Sequence, residues 1–109
     1  MTAFRIPLRT GRGLNAREHH QVRAKRVRAE RKAVAWMLRG TPPPAPLIVT
    51  MTRIAPSAGL DDDNLISSCK AIRDEIAKWL GVDDKHPSVK YVCQQRRGPW
   101  AVGIQIDPA

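Results

Sequence analysis

The sequence predicts an α+β fold: a small mixed β-sheet packed with two helices, in the order β-α-β-α-β-β, as a single domain over residues 1–109. Three observations carry this expectation. Residues 47–54 (Leu-Ile-Val-Thr-Met-Thr-Arg-Ile) are rich in β-branched side chains, as strands are. Trp100, Val102, Ile104 and Ile106 alternate with the period of a strand. Leu65, Cys69, Ile72, Ile76 and Trp79 recur on one side of a helix. A chain of 109 residues can bury one modest core, and no internal repeat divides it.

In order along the chain, Phe4-Arg5-Ile6-Pro7-Leu8 reads as a short first strand, its proline favouring a sheet edge. Residues 9–14 form a loop with Gly11 and Gly13 that carries Arg9 and Arg12. Asn15, with Glu18 three residues on, fits a capping box. A helix is expected over 16–38, with Ala24, Val27, Val34 and Leu38 as a thin apolar stripe that Trp36 and Met37 widen. Gly40 ends it, and Pro42-Pro43-Pro44-Ala45-Pro46 makes a stiff connector to the strand over 47–54. The second helix is expected over 64–80, with Gly81 just past its C-terminus. A turn over 82–87 returns the chain to the sheet, and a strand follows over 88–95. Arg96-Arg97-Gly98-Pro99 then reads as a hairpin turn into the last strand.

The formal charge is +9, and it is unevenly spread. Residues 1–39 hold eleven Lys or Arg against Glu18 and Glu30, so the whole excess lies in the first third. Such a basic segment suits phosphate. An anionic membrane or an acidic protein could use the same charge, but no strong apolar face accompanies it, which favours nucleic acid. No run of 18 apolar residues exists to span a membrane, and residues 1–5 lack the apolar core of a signal peptide. Cys69 and Cys93 show no metal-binding spacing and fit a reducing cytoplasm, packed as small hydrophobes. His19, His20 and His86 offer no ligand spacing either, and no serine-nucleophile, P-loop or dinucleotide motif is present.

What remains is carboxylate chemistry. Asp61-Asp62-Asp63 places three like charges side by side, which repel one another unless something positive joins them. One reading is a helix cap with acidic residues in the first turn. The other is a site for Mg²⁺ or Mn²⁺, in which Asp61 and Asp63 face the same side of an extended segment and Asp62 faces away. On the second helix, Asp63, Ser67, Lys70 and Asp74 fall on the polar side, where a plain Lys70–Asp74 pair also accounts for Asp74. Asp83 and Asp84 follow that helix, and about 17 residues of helix measure about 25 Å. The two acidic ends therefore meet only if the chain bends back or a second subunit supplies one of them.

The order Asp61-Asp62-Asp63-Asn64-Leu65, Lys70-Ala71-Ile72-Arg73-Asp74, Gly81-Val82-Asp83-Asp84 resembles the core pattern of RusA-type Holliday junction resolvases. Val89-Lys90-Tyr91 with Gln94 and Arg96-Arg97 resembles the strand that follows in phage and prophage members, and Leu14-Asn15 with His19 resembles their opening loop. The resemblance implies a homodimeric, Mg²⁺-dependent endonuclease that nicks four-way or other branched DNA in pairs. It implies Asp61, Asp63 and Asp84 as metal-binding catalytic carboxylates and Lys70 as the lysine that neutralises charge on the phosphate. Apart from the resemblance, the basic loop and first helix are expected to hold the DNA backbone, through Arg9, Arg12, Asn15, Arg17, Arg23, Lys25 and Arg26. Two features depart from the pattern. Lys70 follows Asn64 by about three residues more than in that family, nearly one helical turn. Arg9-Thr10-Gly11-Arg12-Gly13 stands where the family is proline-rich. The alternative expectation is a non-catalytic DNA-binding or regulatory protein on the same fold. An RNA-binding module is weaker still, because most of the few aromatic residues fit a core.

Overall fold

A computed structural model describes residues 2–10, 20–38, 40–57, 59–83 and 85–109, without the side chains of Thr2 and His20. The elements run β1 (Thr2–Ile6), α1 (His20–Met37), β2 (Leu47–Ala55), α2 (Asp62–Ser68), α3 (Lys70–Leu80), β3 (Val89–Arg97) and β4 (Ala101–Pro108). The α+β class is as expected. Residues 11–19, with the Asn15–Glu18 capping box, lie outside the described residues.

The four strands form one mixed sheet in the order β1-β4-β2-β3. β2 runs parallel to β3, with Leu47 opposite Val89 and Ala55 opposite Arg97. β4 runs antiparallel to both β1 and β2. The hairpin expected between the last two strands does not form. β4 inserts between β1 and β2, so Gly98–Trp100 carries the chain across the end of β2, where the Gly98 amide donates to the Ala55 carbonyl at 2.9 Å. The reason lies in the side chains. Val102, Ile104 and Ile106 are all about 1% exposed and need cover from both neighbours, whereas β3 ends in exposed Gln94–Arg97, which suits an edge. β1 occupies the other edge, as Pro7 foretells.

The helices cover one face of the sheet. Val34 of α1 and Leu38 just past its end, with Ile72 and Ile76 of α3, close over Val49, Met51, Ile104 and Ile106 in a single core. Trp36 departs from the expected stripe: it is 70% exposed. The stripe instead includes Glu30, 1% exposed and paired with Arg26 at 3.1 Å. Arg31 pairs with Glu75 of α3 at 2.9 Å, so part of the positive charge on α1 is answered from another helix.

The single second helix expected over 64–80 is two helices, broken at Cys69. Ser67 Oγ donates back to the Asn64 carbonyl at 3.2 Å and Ser68 Oγ to the Leu65 carbonyl at 2.7 Å. Hydroxyls bonded to the preceding turn bend helices. Here the Cys69 amide reaches the Ile66 carbonyl instead of continuing the α pattern. The break leaves the apolar side in phase, with Leu65, Cys69, Ile72 and Ile76 buried. Gly81 closes α3 in the left-handed region at φ 72°.

Candidate functional site

The acidic segment is set by β2 on one side and β3 on the other. After β2 the chain turns, and Leu60 is held from both directions by one side chain of β3. Its amide donates to Gln95 Oε1 and its carbonyl accepts from Gln95 Nε2, each at 2.8 Å. Gly59 makes room for this clamp, since a Cβ there would stand 2.9 Å from the Gln95 amide. Asp61 follows in extended backbone and caps α2, its Oδ1 accepting from the Asn64 amide at 2.9 Å. Asp62 and Asp63 lie in the first turn, and all three carboxylates are exposed. The expected alternation, with Asp62 free to cap, gives way because helix begins at Asp62. Asp61 is the cap, and its hydrogen bond occupies one of its two oxygens.

Two hollows flank the α2–α3 break. One, of about 340 Å³, is lined by Met51, Asp62, Leu65, Ile66, Arg73, Tyr91 and Cys93. The other, of about 240 Å³, lies between α1 and the broken helix. It gathers Arg23, Arg26, Ser67, Ser68, Lys70 and Asp74 among its walls. Lys70 Nζ donates to Asp74 Oδ2 at 2.9 Å, the plain pairing. Arg73, which the motif reading passed over, is thus the cation that shares a hollow with the acidic segment. An offset of eleven residues returns to within about 20° on an unbroken helix, but the break at Cys69 interrupts this one, so it is the packing of α2 and α3 that sets Arg73 and Asp62 in one hollow.

The same end of the sheet is rich in arginine. Arg53 sits at an inward position of β2, 3% exposed, and donates from Nε to Thr10 Oγ1 at 3.2 Å. The guanidiniums of Arg9 and Arg53 lie 5.1 and 5.4 Å from the Trp100 ring centre, within cation–π range. Arg96 and Arg97 end β3, and Arg97 Nε donates to the Pro56 carbonyl at 3.3 Å. Arg53 escaped the sequence reading because it lies inside a strand-forming run. The period-two count, which places it in line with Leu47, Val49 and Met51, was the signal. Of the expected DNA contacts, Arg9 belongs to this end. Arg23 and Arg26 line the α1 groove, and Lys25 is exposed on α1. Arg12, Asn15 and Arg17 lie outside the described residues.

The later acidic pair stands elsewhere. Asp83 Oδ1 accepts from the Lys85 amide at 2.8 Å, and its carbonyl accepts from the His86 amide at 2.9 Å. Asp84 lies outside the described residues. This turn leads into the start of β3, opposite Leu47, whereas Leu60 is tied to Gln95 six residues further along the same strand. About 20 Å of strand separates the two attachment points. The break at Cys69 therefore does not fold one end of the helical segment onto the other. Among the described residues no three of His, Cys, Asp and Glu stand close enough to share an ion.

Asp61, Asp62 and Asp63 offer oxygen donors of the kind Mg²⁺ prefers, but within this chain they do not converge on one ion. Among the described residues no helix is long and apolar enough to cross a membrane. Compared with known proteins, the chain matches no family model, no curated protein and no solved structure.

Proposed function

We propose that the chain is a metal-dependent endonuclease for branched DNA, with a Holliday junction as the expected substrate and a homodimer as the working form. The observation that carries the reading is the sheet end itself. It presents three exposed carboxylates on a segment clamped to β3, the strand that itself ends in exposed Arg96 and Arg97. A phosphodiester needs both signs within reach: guanidinium to hold the phosphate and carboxylate to hold a cation against it. The motif order that resembles RusA-type resolvases points to the same residues.

In this proposal Asp61, Asp63 and Asp84 hold Mg²⁺, which when bound supplies an activated water and offsets charge on the phosphate. Asp84 would come from the second subunit, since the two acidic segments of one chain hold to opposite ends of β3. Gln95 fixes Leu60, and through it the direction of Asp61. Lys70 is exposed, and an exposed pair such as Lys70–Asp74 contributes only about 0.5 kcal/mol, so its ammonium can turn to a phosphate at small cost. Lys25, Arg23 and Arg26 on α1, with Arg12, Asn15 and Arg17 before it, hold the DNA backbone.

The test is cleavage of a synthetic four-way junction with Mg²⁺ and with a chelator. Paired nicks that need the metal, and that disappear in Asp63→Asn while junction binding is kept or tightened, are the expected result. Full cutting by Asp63→Asn overturns the proposal. A second reading, a DNA-binding protein that does not cut, is favoured by the ordinary structural duties of Asp61 as a cap and Asp83 in its turn. Undiminished junction binding with no cleavage in Mg²⁺ or Mn²⁺ selects it.

A further inference from the structure

The chain has two cysteines, and folding brings them together. Cys69 is the residue at the α2–α3 break, 1% exposed. Cys93 is on β3 opposite Met51, on the face the helices cover, where it packs against the core cluster that holds Cys69 and its sulfur neighbours the Cys69 thiol. The two differ in access. Cys93 is half-buried and forms part of the wall of the 340 Å³ hollow, with Arg73 beside it, whereas Cys69 lies behind it in the core. We propose that Cys93 is a modification site: its thiolate takes an oxygen from a hydroperoxide, and Cys69 resolves the product into an intramolecular disulfide.

The chemistry balances on these groups. The Cys93 sulfur attacks one peroxide oxygen, the O–O bond breaks, and the departing oxygen leaves as hydroxide or alkoxide and takes up the proton that Cys93 had released to solvent. Cys93 becomes a sulfenic acid. The Cys69 sulfur then attacks Cys93, its proton leaves with the hydroxyl as water, and an S–S bond forms. Two thiols have given two electrons to the peroxide.

The surroundings assign these roles. The hydrogen bond from Cys69, helped by Arg73 and opposed by burial, holds the Cys93 thiol down to about 7. The same bond, then burial and the charge on Cys93, pushes Cys69 well above the usual thiol range, with Ser68 opposing. The groups facing the pair are Asp62 from α2, Arg73 from α3, Tyr91 from β3 and the more distant Glu30 from α1. Once Cys93 is a neutral sulfenic acid, the negative charge that kept the proton on Cys69 is gone, which frees Cys69 to react.

The experiment treats the full chain with hydrogen peroxide, alkylates it under denaturing conditions and weighs it. Protection of both cysteines in a monomer, reversed by dithiothreitol, is expected, with a rise in the urea midpoint of the bridged form. Cys69→Ser should leave a sulfenic acid on Cys93 that dimedone traps, and Cys93→Ser should leave Cys69 unmodified. In the reduced chain at neutral pH, Cys93 should alkylate several-fold faster folded than unfolded. Unchanged alkylation of both cysteines after peroxide, or bridges only between chains, overturns the proposal. If a serine variant fails to fold, the wild-type mass decides alone, because only one intramolecular pairing exists.

Discussion

Gln95 holds Leu60 by both ends of its amide, so the direction of Asp61 depends on a side chain from another strand. Gln95→Ala removes both bonds. At an exposed site this should cost about 1 kcal/mol in urea unfolding. The larger effect should be on junction cleavage, measured as kcat, because the acidic segment loses its anchor. Gly59→Ala should act on the same contact, since its new Cβ would displace the Gln95 amide. The two changes should therefore be non-additive in a double-mutant cycle. At Cys69 and Cys93 the expected signature is pH dependence. Between about pH 7 and the free-thiol value of 9.0, the unfolded pair holds both protons while the folded pair has lost the one on Cys93. The unfolded state binds more protons there, so stability rises with pH. Above that range the unfolded pair sheds both, the folded pair keeps the proton on Cys69, and stability falls. Chemical denaturation across this range, compared with Cys93→Ser, should show a maximum that the variant lacks. None of this pairing was legible in the sequence, where 24 positions separate two unremarkable cysteines. Adjacency across a helix break and a parallel strand has no short-range signal.

At the scale of elements, the two helices of the acidic half owe their division to Ser67 and Ser68. Ser68 Oγ satisfies a Leu65 carbonyl that the Cys69 amide, turned to Ile66, leaves. Ser68→Ala should cost about 1–2 kcal/mol, since the site is buried. Gly81→Ala should cost a similar amount, about 1–2 kcal/mol, by forcing a Cβ into the left-handed region at φ 72°. Both are read from urea midpoints. The existence of every strand was legible, because alternation and β-branching are local properties. Sheet order was not. Arg96-Arg97-Gly98-Pro99 has the chemistry of a turn and does turn, but a turn does not state which strand the chain meets next. The deciding factor is non-local: the most apolar strand takes the middle, and the strand with the arginine-rich end takes an edge. The same limit governs the acidic site. The cap and first turn were legible at Asp61–Asp63. The separation of that segment from Asp83 follows only from the parallel register of β2 and β3.

Across the whole molecule, the excess charge of +9 arises from residues 1–39, but the structure divides those cations by duty. Arg26 is engaged by Glu30, whose side chain is 1% exposed, and Arg31 by Glu75. Lys25, Arg28 and Lys32 point into solvent along α1. A buried carboxylate deprived of its cation is costly, so Arg26→Ala should lower stability by about 2 kcal/mol or more. Lys25→Ala and Arg28→Ala should leave stability within about 0.5 kcal/mol of the parent. For DNA the order reverses. Each exposed cation that meets a phosphate releases a counterion, so removing one should lower the slope of log K against log salt by about 1. Arg26, already neutralised by Glu30, should change that slope less than Lys25 or Arg28. Junction binding measured over a range of salt, alongside urea unfolding of the same variants, checks both halves. If Lys25→Ala and Arg28→Ala bind with an unchanged salt slope, the exposed face of α1 is not where the phosphates lie, and the basic surface that serves DNA must be the arginine-rich sheet end instead.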